Sequence, residues 1–252
     1  MLIAGAQLYT ARDLCKNLDD FSETLKRVAD IGYTTVQASG TCEFEPQWLK
    51  EQLEQTGLKC VLTHVRPPET FYNDTQKVIA NHKVFDCKYL GLGSFGFKDE
   101  ATNPRYPLFV ETYKPVTKAL KEAGQYFMFH NHGHEFYREN GKNILQRMAE
   151  DFPADELGFT LDVCWAQTAG ADPAYWIEYF KGRVPCLHIK DRDHETKLMP
   201  LGEGNLNLER IFNVSETSGV EYLLVEQDEC YGEDPIECLR RSYEYLKAHG
   251  IK

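Results

Sequence analysis

What this chain lacks already narrows it considerably. Its 252 residues contain no run near the ~20 consecutive apolar positions needed to cross a bilayer, so no membrane partner is expected. The first residues, Met1-Leu2-Ile3-Ala4-Gly5-Ala6-Gln7, have neither a basic n-region nor a long apolar core. No signal peptide is expected from them, and the location they suggest is cytoplasmic. Positive charge is scarce: 28 Lys+Arg face 39 Asp+Glu, for a formal net charge of −11. An acidic surface works against nucleic-acid binding, because phosphates are neutralised by a basic face. Among eight cysteines no two form a Cys-x-x-Cys pair, so neither a zinc knuckle nor a thioredoxin-type site is suggested. Reduced, mostly buried thiols are expected instead. No Gly-x-Gly-x-x-Gly follows the first strand, against a doubly wound dinucleotide-binding sheet. No linker or low-complexity stretch divides the chain, and residues 1–252 read as one domain.

What is present is a recurring phrase of amphipathic helix, glycine and short apolar strand. Leu18, Phe21, Leu25, Val28 and Ala29 keep helical spacing and stop at Gly32, before Thr34-Thr35-Val36-Gln37-Ala38. The phrase returns at Trp48 to Gly57, at Val110 to Gly124, and around Gly219 before Tyr222-Leu223-Leu224-Val225-Glu226. Glycine just past a helix accepts the left-handed conformation that ends it. Asp172-Pro173 and Asp234-Pro235 mark helix starts, with Glu237 as a capping-box partner of Asp234. Eight strands are expected near residues 3–8, 34–38, 58–64, 88–93, 126–131, 158–163, 184–189 and 222–227. Their apolar runs are nearly continuous, as in parallel strands covered on both faces. Eight alternating βα units fit an α/β fold, a single-domain (β/α)8 TIM barrel, which typically takes ~250 residues.

Active sites of such barrels form at the carboxyl ends of the strands. Those ends read Gln7, Gln37, His64, Ser94, His130-Asn131-His132 with Glu135, Asp162, His188 with Lys190-Asp191, and Glu226-Gln227-Asp228. Asp162, His188 and Glu226, with one more carboxylate from the fifth strand, would supply one ligand from each of four consecutive strands. Three carboxylates and one imidazole make a hard, anionic site suited to Mn²⁺, Mg²⁺ or Co²⁺. Part of the chain's negative charge would thus converge on one mouth.

Phe129-His130-Asn131-His132-Gly133-His134-Glu135-Phe136, Leu161-Asp162-Val163-Cys164-Trp165, Leu187-His188-Ile189-Lys190-Asp191 and Val225-Glu226-Gln227-Asp228 follow one another in family order. Together they resemble the sugar phosphate isomerase/epimerase family of the xylose isomerase-like TIM-barrel superfamily, over essentially the whole chain. The resemblance implies one divalent metal ion held by Glu135, Asp162, His188 and Glu226, with Mn²⁺ expected and Mg²⁺, Co²⁺ or Zn²⁺ as alternatives. Many isomerases of the superfamily carry the first metal glutamate at the end of the fifth strand, where this chain has His130, so His130 is the alternative ligand. The activity implied is isomerisation or epimerisation of a small sugar or keto-sugar, by proton abstraction next to a metal-bound carbonyl through an enediolate. Glu135 or Glu226 would move the proton, with His132 as a further acid-base group. His64, His130, Trp165, Lys190 and Gln227 are the expected substrate contacts.

The same site could instead serve a lyase that dehydrates a keto-inositol or eliminates a group from the β-carbon of a 3-keto-glycoside, with His130 or His132 as general acid. A nuclease is disfavoured, because Trp165 stands where the related endonucleases place a zinc-ligating histidine. The expected partner is a small carbohydrate. With only Arg66, Lys190 and Arg192 near strand ends, an unphosphorylated one is favoured. Relatives often pair or form tetramers, which leaves a homo-oligomer open.

Overall fold

A computed structural model describes residues 1–97 and 105–252. Eight parallel strands close into a single barrel: β1 (Ile3–Gln7), β2 (Thr35–Ala38), β3 (Lys59–His64), β4 (Tyr89–Leu92), β5 (Tyr126–His130), β6 (Leu157–Asp162), β7 (Cys186–Ile189) and β8 (Tyr222–Val225). Each pairs with its neighbours in sequence, and β1 closes the ring on β8, Ala4 facing Leu223 and Ala6 facing Val225. Helices cover the outside, and short two-stranded ribbons rise from the loops after β5 and β7. No helix among the described residues is long and apolar enough to cross a membrane.

Alternation along the strands sorts the apolar residues into two bodies. Phe127, Phe129, Leu161, Leu187, Leu223 and Val225 face outward and join the main core beneath the helices. Leu62, Tyr89, Met128, Cys186 and Leu224 face inward and form a separate plug inside the barrel. Between β2 and β3 the register slips, Val36 facing Cys60 and Gln37 facing Leu62. That irregularity leaves Val61 without a partner on β2. At Gly91 of β4 a Cβ would lie 2.5 Å from the Thr63 carbonyl oxygen and 2.8 Å from Cδ2 of His64. The missing side chain is what admits the His64 ring to the upper barrel.

The helix starts at Asp172-Pro173 and Asp234-Pro235 form as expected, each aspartate accepting a backbone N–H two residues on. Glu237 differs from expectation: its carboxylate turns outward to Arg240 Nε at 2.8 Å instead of closing a capping box. The capping box that does form joins Asn143 and Gln146. All eight cysteines are free thiols, six of them buried.

Candidate active site at the barrel mouth

One strand period above the apolar plug the interior changes character. Two residues beyond Met128 stands His130, two beyond Cys186 stands His188, and two beyond Leu224 stands Glu226; Asp162 ends β6 on the same level. All four are buried, and their ligating atoms lie within 4.8 Å of one another. In the parallel register Asp162 pairs with His188, and His188 with Leu224, one period before Glu226.

Each imidazole is tethered from behind. His188 donates from Nε2 to Gln37 Oε1 at 2.7 Å, which leaves Nδ1 unprotonated and facing Glu226 Oε2 at 2.8 Å and Asp162 Oδ2 at 3.9 Å. Among the described residues His188 Nδ1 and Glu226 Oε2 have no hydrogen-bond partner despite their closeness. His130 donates from Nδ1 to the Gly93 carbonyl at 3.1 Å and turns Nε2 towards Asp162 Oδ2 at 3.4 Å. A ring whose N–H is engaged by an amide or carbonyl oxygen, with its lone pair aimed at carboxylate oxygens, is the arrangement of a metal-ligating histidine. The donor set therefore fits a divalent cation.

The carboxylates are held in place as well. Asp162 Oδ1 accepts the Trp165 N–H at 2.8 Å, capping the following short helix, and the Asp162 N–H is fixed by Asn131 Oδ1 at 2.9 Å. Glu226 Oε1 accepts from Gln7 Nε2 at 3.1 Å. Burial pushes both carboxyls up, but Lys190 and the histidines outweigh it. Asp162 is brought to about 2, and Glu226 well below the usual carboxylate range. Burial lowers His188, and lowers His64 strongly, while at His130 the burial effect is outweighed by Asp162, which raises it.

Lys190, just past the end of β7, enters this cluster as well. Its ammonium lies 2.9 Å from Asp162 Oδ2, 2.8 Å from Glu226 Oε2 and 2.7 Å from Asp228 Oδ2, with 1% of the side chain exposed. Burial would strip its proton, yet the three carboxylates raise its pKa well above the ordinary lysine value. Its neighbour Asp191 serves the scaffold, accepting the backbone N–H groups of Gly202, Gly204 and Leu206 at 2.9–3.0 Å.

Above the cluster lies a cavity of about 340 Å³. Tyr9, Ser39, His64, Arg66, His132 and Trp165 contribute to its lining, together with His130 and Glu226. His64 Nδ1 meets Ser39 Oγ at 3.0 Å, and its Nε2 has no hydrogen-bond partner among the described residues. His132 packs against Trp165, ring centroids 5.5 Å apart. Burial lowers the His132 pKa to about 4, leaving the ring neutral at pH 7.

Three expected site residues lie elsewhere. Glu135 is fully buried in a 3-10 turn over His134–Phe136, which folds its carboxylate back on its own loop. Oε2 accepts the His132 N–H at 2.7 Å and Oε1 lies 2.9 Å from His134 Nε2. Glu135 thus groups with His132 and His134, and His130 takes the fourth place beside Asp162, His188 and Glu226. Gln227 follows Glu226 with the opposite strand parity; its N–H donates to Thr10 Oγ1 and its side chain to the Glu229 carbonyl, away from the cavity. Lys190 is sequestered by the carboxylates and does not line the cavity. Gln7, Gln37 and Asn131, read in sequence only as polar strand ends without a role, hold Glu226, His188 and Asp162 in place.

A family profile for xylose isomerase-like TIM barrels matches residues 25–249, and the chain belongs to that family. Among solved structures it resembles a sugar phosphate isomerase/epimerase from Parabacteroides distasonis, with 23% identity, a TM-score of 0.83, and coverage of 98% of this chain and 94% of that one. An L-ribulose 3-epimerase is 14% identical with a TM-score of 0.78, covering 98% and 94%. A probable 3-DHS dehydratase from Bacillus anthracis is 14% identical with a TM-score of 0.75, covering 98% and 99%. No curated protein matches the chain in a sequence search.

Proposed function

We propose that this barrel is a divalent-metal-dependent isomerase or epimerase of a small, unphosphorylated sugar or keto-sugar. The observation that carries this reading is the pair of tethered imidazoles aiming their free nitrogens at carboxylate oxygens inside a closed barrel mouth. His130, Asp162, His188 and Glu226 would hold the ion, a mixed nitrogen and oxygen set that suits Mn²⁺, with Co²⁺ or Zn²⁺ as alternatives. Such an ion acts as a Lewis acid that makes the C–H bond next to a carbonyl more acidic.

The chain's own groups do the rest. Glu226 borders the cavity, takes the carbon-bound proton and returns it at the neighbouring carbon, while the neutral His132, whose Nδ1 has no hydrogen-bond partner among the described residues, accepts a substrate hydroxyl proton and passes it to the carbonyl oxygen. Glu135 holds the His132 backbone from behind and is a positioning residue. His64 Nε2 offers a polar contact to a hydroxyl, and the Trp165 ring a flat face for sugar C–H groups. Arg66 is the one lysine or arginine among the described lining residues, which favours a substrate without a phosphate.

A second reading, a lyase using the same cation seat, is favoured by the imidazoles of His64, His130, His132 and His134 around the cavity, any of which could assist a leaving hydroxyl. One experiment separates the two. The metal content of purified protein is measured, and a panel of ketoses and keto-glycosides is then incubated with the loaded protein in deuterated water. Deuterium gained at a carbon next to the carbonyl, with product otherwise equal in mass to substrate, is the expected result. Loss of water selects the lyase, and absence of exchange with every sugar overturns both.

A further inference from the structure

The least expected feature of the mouth is that a cation already sits on the oxygens a metal would need. Lys190 lies two residues beyond His188 in extended chain, so both side chains point into the barrel. Its Nζ lies within 2.9 Å of Asp162 Oδ2 and within 2.8 Å of Glu226 Oε2, the same oxygens that face His130 and His188. Neither contact has the geometry of a hydrogen bond. The contact with Asp228 Oδ2 does, at 2.7 Å. Asp228 stands further out, with 32% of its side chain exposed and its carboxylate on the cavity wall.

We propose that Lys190 is a resident cation that competes with the divalent ion for Asp162 Oδ2 and Glu226 Oε2 and so sets the affinity of the seat. This rests on the reading of His130, Asp162, His188 and Glu226 as a metal seat. A divalent ion approaches a carboxylate oxygen to about 2.0–2.2 Å, and two cations sharing one pair of oxygens repel strongly in a buried site. When the ion enters, the ammonium withdraws to its hydrogen bond with Asp228. In the metal-free barrel it returns and neutralises carboxylates that would otherwise face one another. Three carboxylates against one ammonium leave the mouth anionic, so the seat still attracts a divalent ion with Lys190 in place.

The test is Mn²⁺ and Zn²⁺ titration of chelator-stripped protein by calorimetry, comparing the natural chain with Lys190→Met and Lys190→Gln. Both variants are expected to bind the ion at least about tenfold more tightly. Their stripped forms are expected to melt below the stripped natural protein. A merely structural lysine would give the opposite sign, because its loss loosens the site. Equal or weaker binding by a folded variant overturns the competition while leaving the metal seat intact. No binding by any of the three proteins overturns the seat and the competition together. Should neither variant fold, the crystal structure of the Mn²⁺-loaded natural protein decides. Lys190 Nζ is expected to keep Asp228 and to lie beyond hydrogen-bond reach of Asp162 Oδ2 or Glu226 Oε2; contact with both overturns the proposal.

Discussion

The floor and the mouth of this barrel are built from the same strands, two residues apart, and obey opposite rules. Leu62, Met128, Cys186 and Leu224 form the floor; His64, His130, His188 and Glu226 stand one period higher on the same strands. The floor gains stability by removing apolar area from water, roughly 25 cal/mol per Å². The mouth buries charge, which costs free energy unless every charge meets a partner. A single β period therefore separates the part of the interior that holds the barrel together from the part that gathers buried charge.

The largest effect expected at the mouth is on turnover. Glu226→Gln keeps the shape of the side chain but removes its charge, and kcat is expected to fall at least about 10³-fold. Steady-state kinetics on the sugar found active would show it, and near-normal kcat would remove Glu226 from the proton-handling role. At the floor, Met128→Ala is expected to cost about 2–5 kcal/mol, read by urea unfolding, because the closed barrel cannot collapse onto the void. Its metal affinity should stay close to that of the natural protein; a matching loss of affinity would show that floor and mouth are not separable.

Buried histidines sharpen the contrast through pH. At the mouth the Asp162 carboxylate raises His130 against the pull of burial, whereas His82 is buried against Phe85 with the uncharged Thr63 Oγ1 and Val78 carbonyl as hydrogen-bond partners. Burial pushes His82 down to about 4 from 6.5. The unfolded chain then binds the extra proton more readily than the native one. The His82 contribution is complete above pH 6.5, declines as pH falls, and levels off below about 4, a loss on the order of 3 kcal/mol. Denaturant midpoints between pH 7 and 4 would reveal it, and His82→Gln should flatten that interval.

Removal of the ion is expected to lower stability by about 2.7 kcal/mol relative to protein held at a free-ion concentration one hundred times Kd. Calorimetric melting with and without chelator measures this; identical melting curves would leave the mouth without a bound ion. The smallest effect is expected at the cavity wall. Trp165→Leu should raise KM about tenfold or less and change kcat less than KM, since it removes a surface and no reacting group.

Much of the barrel was legible because each strand is a short, nearly continuous apolar run, and glycines at 32, 57, 124 and 219 mark helix ends. The strand ends were legible as sites for the same reason: once strands are placed, their last inward residues are named. Glu135 escaped this logic because it lies beyond the strand, where a 3-10 turn, not a pleat, sets its direction. Gln227 escaped it by one residue of parity. Glu237 was lost to a local competitor, since Arg240 is charged and the backbone N–H it would have accepted from is not.

By itself the sequence determined the eight βα units, the level at which polar residues begin, and that Asp162, His188 and Glu226 stand at strand ends. These follow from local periodicity, which needs no knowledge of what lies across the barrel. Only the tertiary structure decided that His130 joins them, that Glu135 does not, and that the Lys190 ammonium comes to rest among Asp162, Glu226 and Asp228. Those outcomes depend on distances across the barrel of a few ångströms, between residues tens of positions apart. Electrostatics in a buried space is governed by such distances and not by spacing along the chain.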